Sequence, residues 1–377
     1  MTDPVLALLR DLVAIDSVNP SLVPGAAGES QIAEAIARHM RAIGLDVHQQ
    51  DAAPGRPNVI GVLEGVERGR SIMLCGHTDT VGIAGMAAPF DPVIRDGRLY
   101  GRGAQDMKAG VAAMIDAARL ARERGFRKGR IVIAAVADEE YASIGADALV
   151  REWTTDAAIV TEPTDLAIGV CHKGFAWATI ETRGRAAHGS RPRDGRDAIL
   201  RMGRVLSRLE QLDRELQARP GHPLLGTGSL HASIIDGGHE LSSYPDRCRL
   251  QLERRTIPGE NVETFAHEMN AILRALSDDD PELEASVEVM FSRPPYEVSP
   301  VHDLPRALAS AAASAGAPTS TVGMSFWTDA AILGSAGIPS VLFGPGGAGL
   351  HSIEEYVTLS DVMACRNTLT EFVLKSL

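Results

Sequence analysis

Five side chains of this sequence have the chemistry to hold divalent cations, and two more have the chemistry to serve them. His77 and Asp79 lie in Gly76-His77-Thr78-Asp79-Thr80, and Asp106 in Gly103-Ala104-Gln105-Asp106-Met107-Lys108. Glu139 and Glu140 follow Asp138, Glu162 lies in Thr161-Glu162-Pro163, and His351 closes Gly349-Leu350-His351. Imidazole and carboxylate ligands suit zinc, with cobalt or manganese as alternatives. Positions i and i+2 of an extended chain share a face, so Asp79 can hold the second ring nitrogen of a metal-bound His77. Three successive carboxylates repel one another and need open solvent or a cation. At the end of the apolar run 131–137 the open-solvent reading weakens, and metal binding or acid–base work stands level with it. Taken singly, plainer readings compete: His77 as a strand-end histidine bonded to a neighbour, Asp106 as a helix N-cap.

What unites the seven is position. Apolar runs at 58–62, 71–75, 131–136 and 158–160 read as strands covered on both faces, with helical stretches such as 110–124 and 144–152 between them, and 340–343 reads as a further strand after the insert. That alternation predicts a layered α/β catalytic domain with a mostly parallel sheet. The seven residues sit at strand ends or in the loops that follow, and the carboxyl ends of parallel strands share one edge where ligands bind. Two divalent cations against three carboxylates leave one positive charge, which a bridging hydroxide neutralises. Gly344-x-Gly346-x-x-Gly349 has the spelling of a dinucleotide-binding loop, but such glycines open a first βαβ unit, and here the chain is nearly finished. Gly346 and Gly347 are read instead as a close-approach lining for substrate.

The elements that must position these residues form two domains, as 377 residues exceed one ordinary core. Between 175 and 290 the pattern changes: a half-exposed strand over 175–182, a helix through Ile199, Met202, Val205, Leu209 and Leu216, strands at 229–236 and 247–256, a helix capped by Asn261, and a strand at 285–291. The order β-α-β-β-α-β is a ferredoxin-like split unit. Residues 1–174 and 291–377 are therefore expected to form the catalytic domain, with 175–290 inserted into it. An aromatic content of 4% means a core of Ala, Val, Leu and Ile. A formal charge of -12 argues against a nucleic-acid surface. Four scattered cysteines without a CxxC pair argue against a disulfide framework and for reduced thiols. The first apolar stretch is broken by Arg10 and Asp11 and reads as an amphipathic helix rather than a signal peptide, and no run approaches the ~20 apolar residues of a membrane span. A cytoplasmic protein is expected.

The motifs Gly76-His77-Thr78-Asp79, Gly101-Arg102-Gly103 through Asp106-Met107-Lys108, Asp138-Glu139-Glu140, Thr161-Glu162-Pro163-Thr164 and Gly349-Leu350-His351 together resemble the M20 family of metallohydrolases, in its order and spacing over nearly the whole chain. That family includes acetylornithine deacetylase, succinyl-diaminopimelate desuccinylase, aminoacylase and glutamate carboxypeptidase. The resemblance implies two divalent metal ions bridged by Asp106, with His77 and Glu162 completing one and Glu140 and His351 the other. It makes Glu139 the general base on the bridging water. It makes the insert the dimerisation domain of a homodimer, with His188 of Gly184-Arg185-Ala186-Ala187-His188-Gly189-Ser190 reaching the partner's active site to donate to the oxyanion. Arg255, in Arg254-Arg255-Thr256-Ile257-Pro258-Gly259, matches a family arginine that grips the substrate's carboxylate. By themselves His188 reads as a loop histidine and Arg255 as an exposed strand charge.

Two departures bear on substrate. Ser242 and Ser243 stand where relatives often carry asparagine, and Phe326-Trp327 brings scarce aromatic area into the segment after the insert, as acyl-pocket wall or as core. The expected reaction is removal of an acetyl-like group from an amino acid, because the stretches 161–164 and 172–174 resemble acetylornithine deacetylase more than the family's other members named above. A dipeptidase or glutamate carboxypeptidase with the same metal centre is the alternative. A non-catalytic binding relative is the third reading, against which Glu139 counts, since binding needs no general base. The expected partner is a small N-acyl amino acid or dipeptide, with no role for nucleic acid or membrane.

Overall fold

The computed structural model describes residues 3–83 and 85–376, which divide into two compact units. The first comprises Met1–Val170, Val298–Val322 and Thr328–Leu377, and the second Cys171–Glu297 with the short return Gly323–Trp327.

The main sheet of the first unit runs in the order Asp46–Ala53, Arg56–Glu64, Lys128–Val136, Glu67–His77, Ala157–Val160, Ser340–Leu342 and Ile168–His172. The four strands from Lys128–Val136 to Ser340–Leu342 are mutually parallel. Those flanking them are antiparallel, so the sheet is mixed, with its parallel part at the centre. Arg56–Glu64 owes its direction to a tight turn through Gly55, at φ 73°, from Asp46–Ala53. Helices Pro4–Val13, Ser30–Ala42, Ala109–Glu123, Ile144–Glu152, Asp303–Ala315, Ala330–Ser335 and Leu359–Ser376 complete the layers. Ala109–Glu123 is buried on almost every side because it is built of small residues. A Cβ on Gly110 would collide with the Thr161 carbonyl, so glycine is what lets this helix press against the strand end. Arg366 of the last helix joins Asp3, the N-cap of the first, to Asp116 of this central one, at 2.9 and 2.8 Å.

A small antiparallel sheet of the same unit links Val93–Arg95, Arg98–Tyr100, Tyr356–Thr358 and Gly347–Ala348. Tyr100 pairs with Tyr356, so the chain approaching Asp106 runs beside the chain leaving His351.

The second unit is the ferredoxin-like βαββαβ arrangement. Its sheet runs Ser229–Gly237, Arg247–Thr256, Gly174–Arg183, Glu284–Arg293, all antiparallel. Helices Ala198–Ala218 and Val262–Asp279 begin at Asp197 and Asn261, whose side chains accept from Leu200 and Thr264 amides. Ala176, Ala178 and Ile180 alternate into the core with Met202, Leu209, Phe265 and Met269. On the other face Phe175, Trp177 and Phe291 stack, and Trp327 packs edge-on to Phe175 while donating to the Pro294 carbonyl at 3.0 Å. Trp327 is thus a packed residue of this unit.

All four cysteines are free and buried, Cys75 and Cys365 in the first unit, Cys171 and Cys248 in the second. Among the described residues no helix is long and apolar enough to cross a membrane.

Candidate metal centre

Parallel pairing sets His77 level with Val136, and Cys75 and Leu342 level with Val160. Asp79, Asp138-Glu139-Glu140 and Glu162 lie just beyond these ends, on one edge of the sheet. Asp106 enters from the turn Ala104–Lys108, where it and Met107 leave helical angles (φ -114°, ψ 98° and φ -128°, ψ 35°) and are joined by a cis peptide. His351, at φ 58°, comes from the loop between Gly347–Ala348 and Tyr356–Thr358.

Asp106 stands between two imidazoles. Its Oδ1 lies 3.1 Å from His77 Nε2, and its Oδ2 3.4 Å from His351 Nε2. Glu140 Oε2 is 3.2 Å from His351 Nε2, and Glu139 Oε2 is 3.9 Å from His77 Nε2. Ligand atoms of His77, Glu139 and Glu162 lie within 4.8 Å of one another, as do those of His77, Asp106 and Glu140. All six side chains therefore converge. Asp79 takes a different part from the one its spacing suggested. His77 Nδ1 lies 3.0 Å from the Asp79 carbonyl oxygen and 3.6 Å from its carboxylate. The carboxylate accepts instead from the amides of Glu139, at 3.1 Å, and Glu140, at 3.2 Å. Nδ1 thus donates to a carbonyl, so Nε2 faces the cluster, where it donates to Asp106 when protonated and offers its lone pair to a cation when not.

The electrostatics call for positive charge. Burial disfavours a charged His77, yet its bond to Asp106 and the Glu162 and Glu139 carboxylates push its pKa well above the ordinary value. Contacts with Asp106 and Glu140 lift His351 to about 10. Burial, then the Asp106 charge, raises Glu140 to about 6. Burial and neighbouring carboxylates push Glu139 and Glu162 well up, while the two histidines hold Asp106 down against its burial. A cluster that attracts protons in this way also attracts metal cations. Among the described residues Glu140 Oε1 and Glu162 Oε1 find no hydrogen-bond partner although buried, a costly state for a carboxylate oxygen that a cation would relieve. Two imidazoles and three carboxylates with such oxygens fit divalent ions.

An outer network escaped the sequence pattern. Asn19 Nδ2 donates to Asp79 at 2.7 Å and to Asp138 at 3.0 Å. Asp138 also accepts from Arg56 at 2.8 Å, and Arg56 pairs with Glu29. Asp329 adds charge that raises both Glu139 and Glu162. Asn19 lies 60 positions from Asp79 in a loop without periodicity, so nothing in its setting marks it.

The remaining predicted residues are placed as follows. A Cβ on Gly346 would come within 2.5 Å of Asp165 Oδ1 and 2.7 Å of Asp361 Oδ2, and one on Gly347 would strike the Tyr356 carbonyl, so protein atoms already approach both closely. Arg255, in the second unit, bonds Glu253 at 2.6 Å and lies 5.5 Å over the Phe175 ring. His188 is exposed there, its Nδ1 accepting from the Ser190 amide at 3.2 Å, which puts the ring proton on Nε2. Ser243 forms an isolated bridge with His188, and its hydroxyl donates to Glu240 at 2.5 Å.

Residues 73–375 match the sequence profile of peptidase family M20/M25/M40. The chain is 32% identical over 391 aligned positions to acetylornithine deacetylase of Myxococcus xanthus, a match covering 99% of this chain and 98% of that protein. It is 28% identical to N-formyl-4-amino-5-aminomethyl-2-methylpyrimidine deformylase of Bacillus subtilis, over 93% of this chain and 90% of the other. Among solved structures, a tripeptidase of Staphylococcus aureus shares its fold with a TM-score of 0.84 at 23% identity, over 99% and 98% of the two chains. Because the profile match runs from the strand that ends at His77 to the last helix, taking in every residue of the cluster, the chain belongs to peptidase family M20/M25/M40.

Proposed function

We propose that the chain is a di-metal amidohydrolase that removes a small acyl group from the nitrogen of an amino acid. The observation that carries this reading is Asp106 between two imidazoles, with Glu139 beside His77 and Glu140 beside His351. Asp106 would be shared between the two ions, with His77 and Glu162 holding one and Glu140 and His351 the other. Zinc suits the donors, with cobalt or manganese as alternatives. When bound, the ions supply Lewis acidity to the scissile carbonyl and acidify a water. Glu139 takes the proton of that water as its oxygen attacks the carbonyl carbon, and returns it to the nitrogen as the C–N bond breaks. The products are a carboxylic acid and a free amine. Support for a small acyl group comes from the two sequence relatives, one named for deacetylation and one for deformylation.

In the same proposal Arg255 binds the substrate's carboxylate, Gly346 and Gly347 line its approach, and His188 donates from Nε2 to the oxyanion in a homodimer assembled through the second unit. The exposed edge strand Ser229–Gly237, with Ile234 60% and Ile235 52% exposed, supports such an assembly. Free, buried thiols support a reducing, cytoplasmic setting. The test is hydrolysis of N-acetyl, N-formyl and N-succinyl amino acids and of dipeptides, before and after exhaustive chelation, on protein whose oligomeric state is fixed by sedimentation. Cleavage of acetyl or formyl derivatives, lost on chelation and regained with zinc or cobalt, is expected. Preference for dipeptides moves the reading to a peptidase, activity that survives chelation ends the metal reading, and a monomer removes the role of His188.

A further inference from the structure

We propose that Glu355 is the positioning residue that sets Asp106 between the two imidazoles and, through Arg102, ties the His351 loop to the same point; this rests on the cluster being a metal centre. Glu355 is 1% exposed, and its two carboxylate oxygens accept four bonds. Oε2 takes Arg102 Nη1 at 2.7 Å and the Gly103 amide at 3.0 Å. Oε1 takes the amides of Gln105 at 2.9 Å and Asp106 at 3.1 Å. The donors converge because Gly103, at φ 77°, turns its amide toward those of the turn that follows, and convergent N–H groups form an anion-binding concavity. One carboxylate therefore fixes the main chain of the residue whose side chain reaches both histidines.

The second tie runs through Arg102, also 1% exposed. Its Nη2 donates at 2.9 Å to the carbonyl of Ser352, the residue after His351. The Gly101 amide donates to the Glu355 carbonyl at 3.2 Å, and Tyr100 pairs with Tyr356. Segments 100–106 and 351–356, which deliver two of the cluster's side chains, are thereby fastened to each other. Apolar residues would hold two such segments together at least as well as a buried ion pair. What apolar residues could not do is satisfy the three amides of the Asp106 loop, two of them fully buried.

Glu355→Gln replaces one acceptor with an NH2 group that faces N–H donors. Zinc affinity, read by competition with a chelator, is expected to fall roughly 10- to 100-fold. kcat should fall while KM for the N-acyl substrate stays near wild type, and excess zinc should restore part of kcat. Arg102→Lys, which keeps the charge but cannot reach both partners, should show a smaller loss of zinc affinity. Variants that melt lower yet bind zinc like wild type would show a merely structural role and overturn the proposal. Hydrogen exchange on metal-free wild type gives a check independent of any variant: the amides of Gly103, Gln105 and Asp106 should exchange slowly, and rapid exchange overturns the proposal. Wild type that takes up no zinc overturns the metal centre itself, a result distinct from variants that bind as tightly as wild type.

Discussion

Glu139 and Glu140 are chemically identical neighbours given different surroundings by one carboxylate. Asp79 accepts from both of their amides, so the two side chains diverge from a fixed piece of main chain, Glu140 toward His351 and Glu139 toward His77 and Glu162. The proposed division of labour, one glutamate on an ion and the other on water, has its origin there. Glu139→Gln keeps the volume and removes the base, and kcat is expected to fall roughly 10²–10⁴-fold with two ions still bound per chain. Metal analysis beside the assay decides the matter. Turnover like wild type would remove Glu139 as base, and loss of an ion would make it a ligand, since its carboxylate lies 3.9 Å from His77 Nε2 and within 4.8 Å of the Glu162 ligand atom.

At the scale of elements, four parallel strands ending on one edge do most of the gathering, and their continuous apolar runs made them legible in the sequence. The βαββαβ order and the Asn261 cap were legible for the same reason: period and cap chemistry are local. The strand Asp46–Ala53 was not, because it is an edge strand, largely exposed and polar, with no apolar period to read. Nor was the small sheet that flanks His351, whose strands are two or three residues long. Glu355 and Asn19 were missed because what they do depends on partners about 250 and 60 positions away. Another strand end offers a test by pH. His172 closes Ile168–His172 with its ring 5.9 Å from Tyr296 and 6.1 Å from Trp327. Burial pulls its pKa down to about 4, only partly offset by its bond to the Lys173 carbonyl. The folded protein therefore binds this proton less readily than the unfolded chain. The residue costs nothing above pH ~6.5 and destabilises progressively as pH falls toward 4, by about 3 kcal/mol in full. Denaturant titrations of wild type and His172→Phe at pH 7 and pH 4.5 should show the variant losing less stability on acidification. Equal losses would mean that His172 takes no part in acid destabilisation.

For the molecule as a whole, the chain passes from one unit to the other and back twice, because Gly323–Trp327 belongs with Cys171–Glu297. A fragment ending at 297 would lack Trp327, whose ring packs on Phe175 and His172 and lies beneath Arg293. The four cysteines lie two in each unit, and none takes part in the proposed chemistry. Burial raises the pKa of every one of these thiols, Cys171 to about 12. Since only an accessible thiolate reacts, alkylation has to wait for the surrounding core to open. Iodoacetamide pulses in rising urea, read by peptide mass, therefore time the opening of each unit separately. The second unit has the smaller core and should open first, so that Cys248, in its strand Arg247–Thr256, is labelled at lower urea than Cys75 and Cys365. Labelling of all four at one concentration would show a single cooperative transition. Residues without a catalytic task thus make the order in which the fold comes apart readable by mass alone.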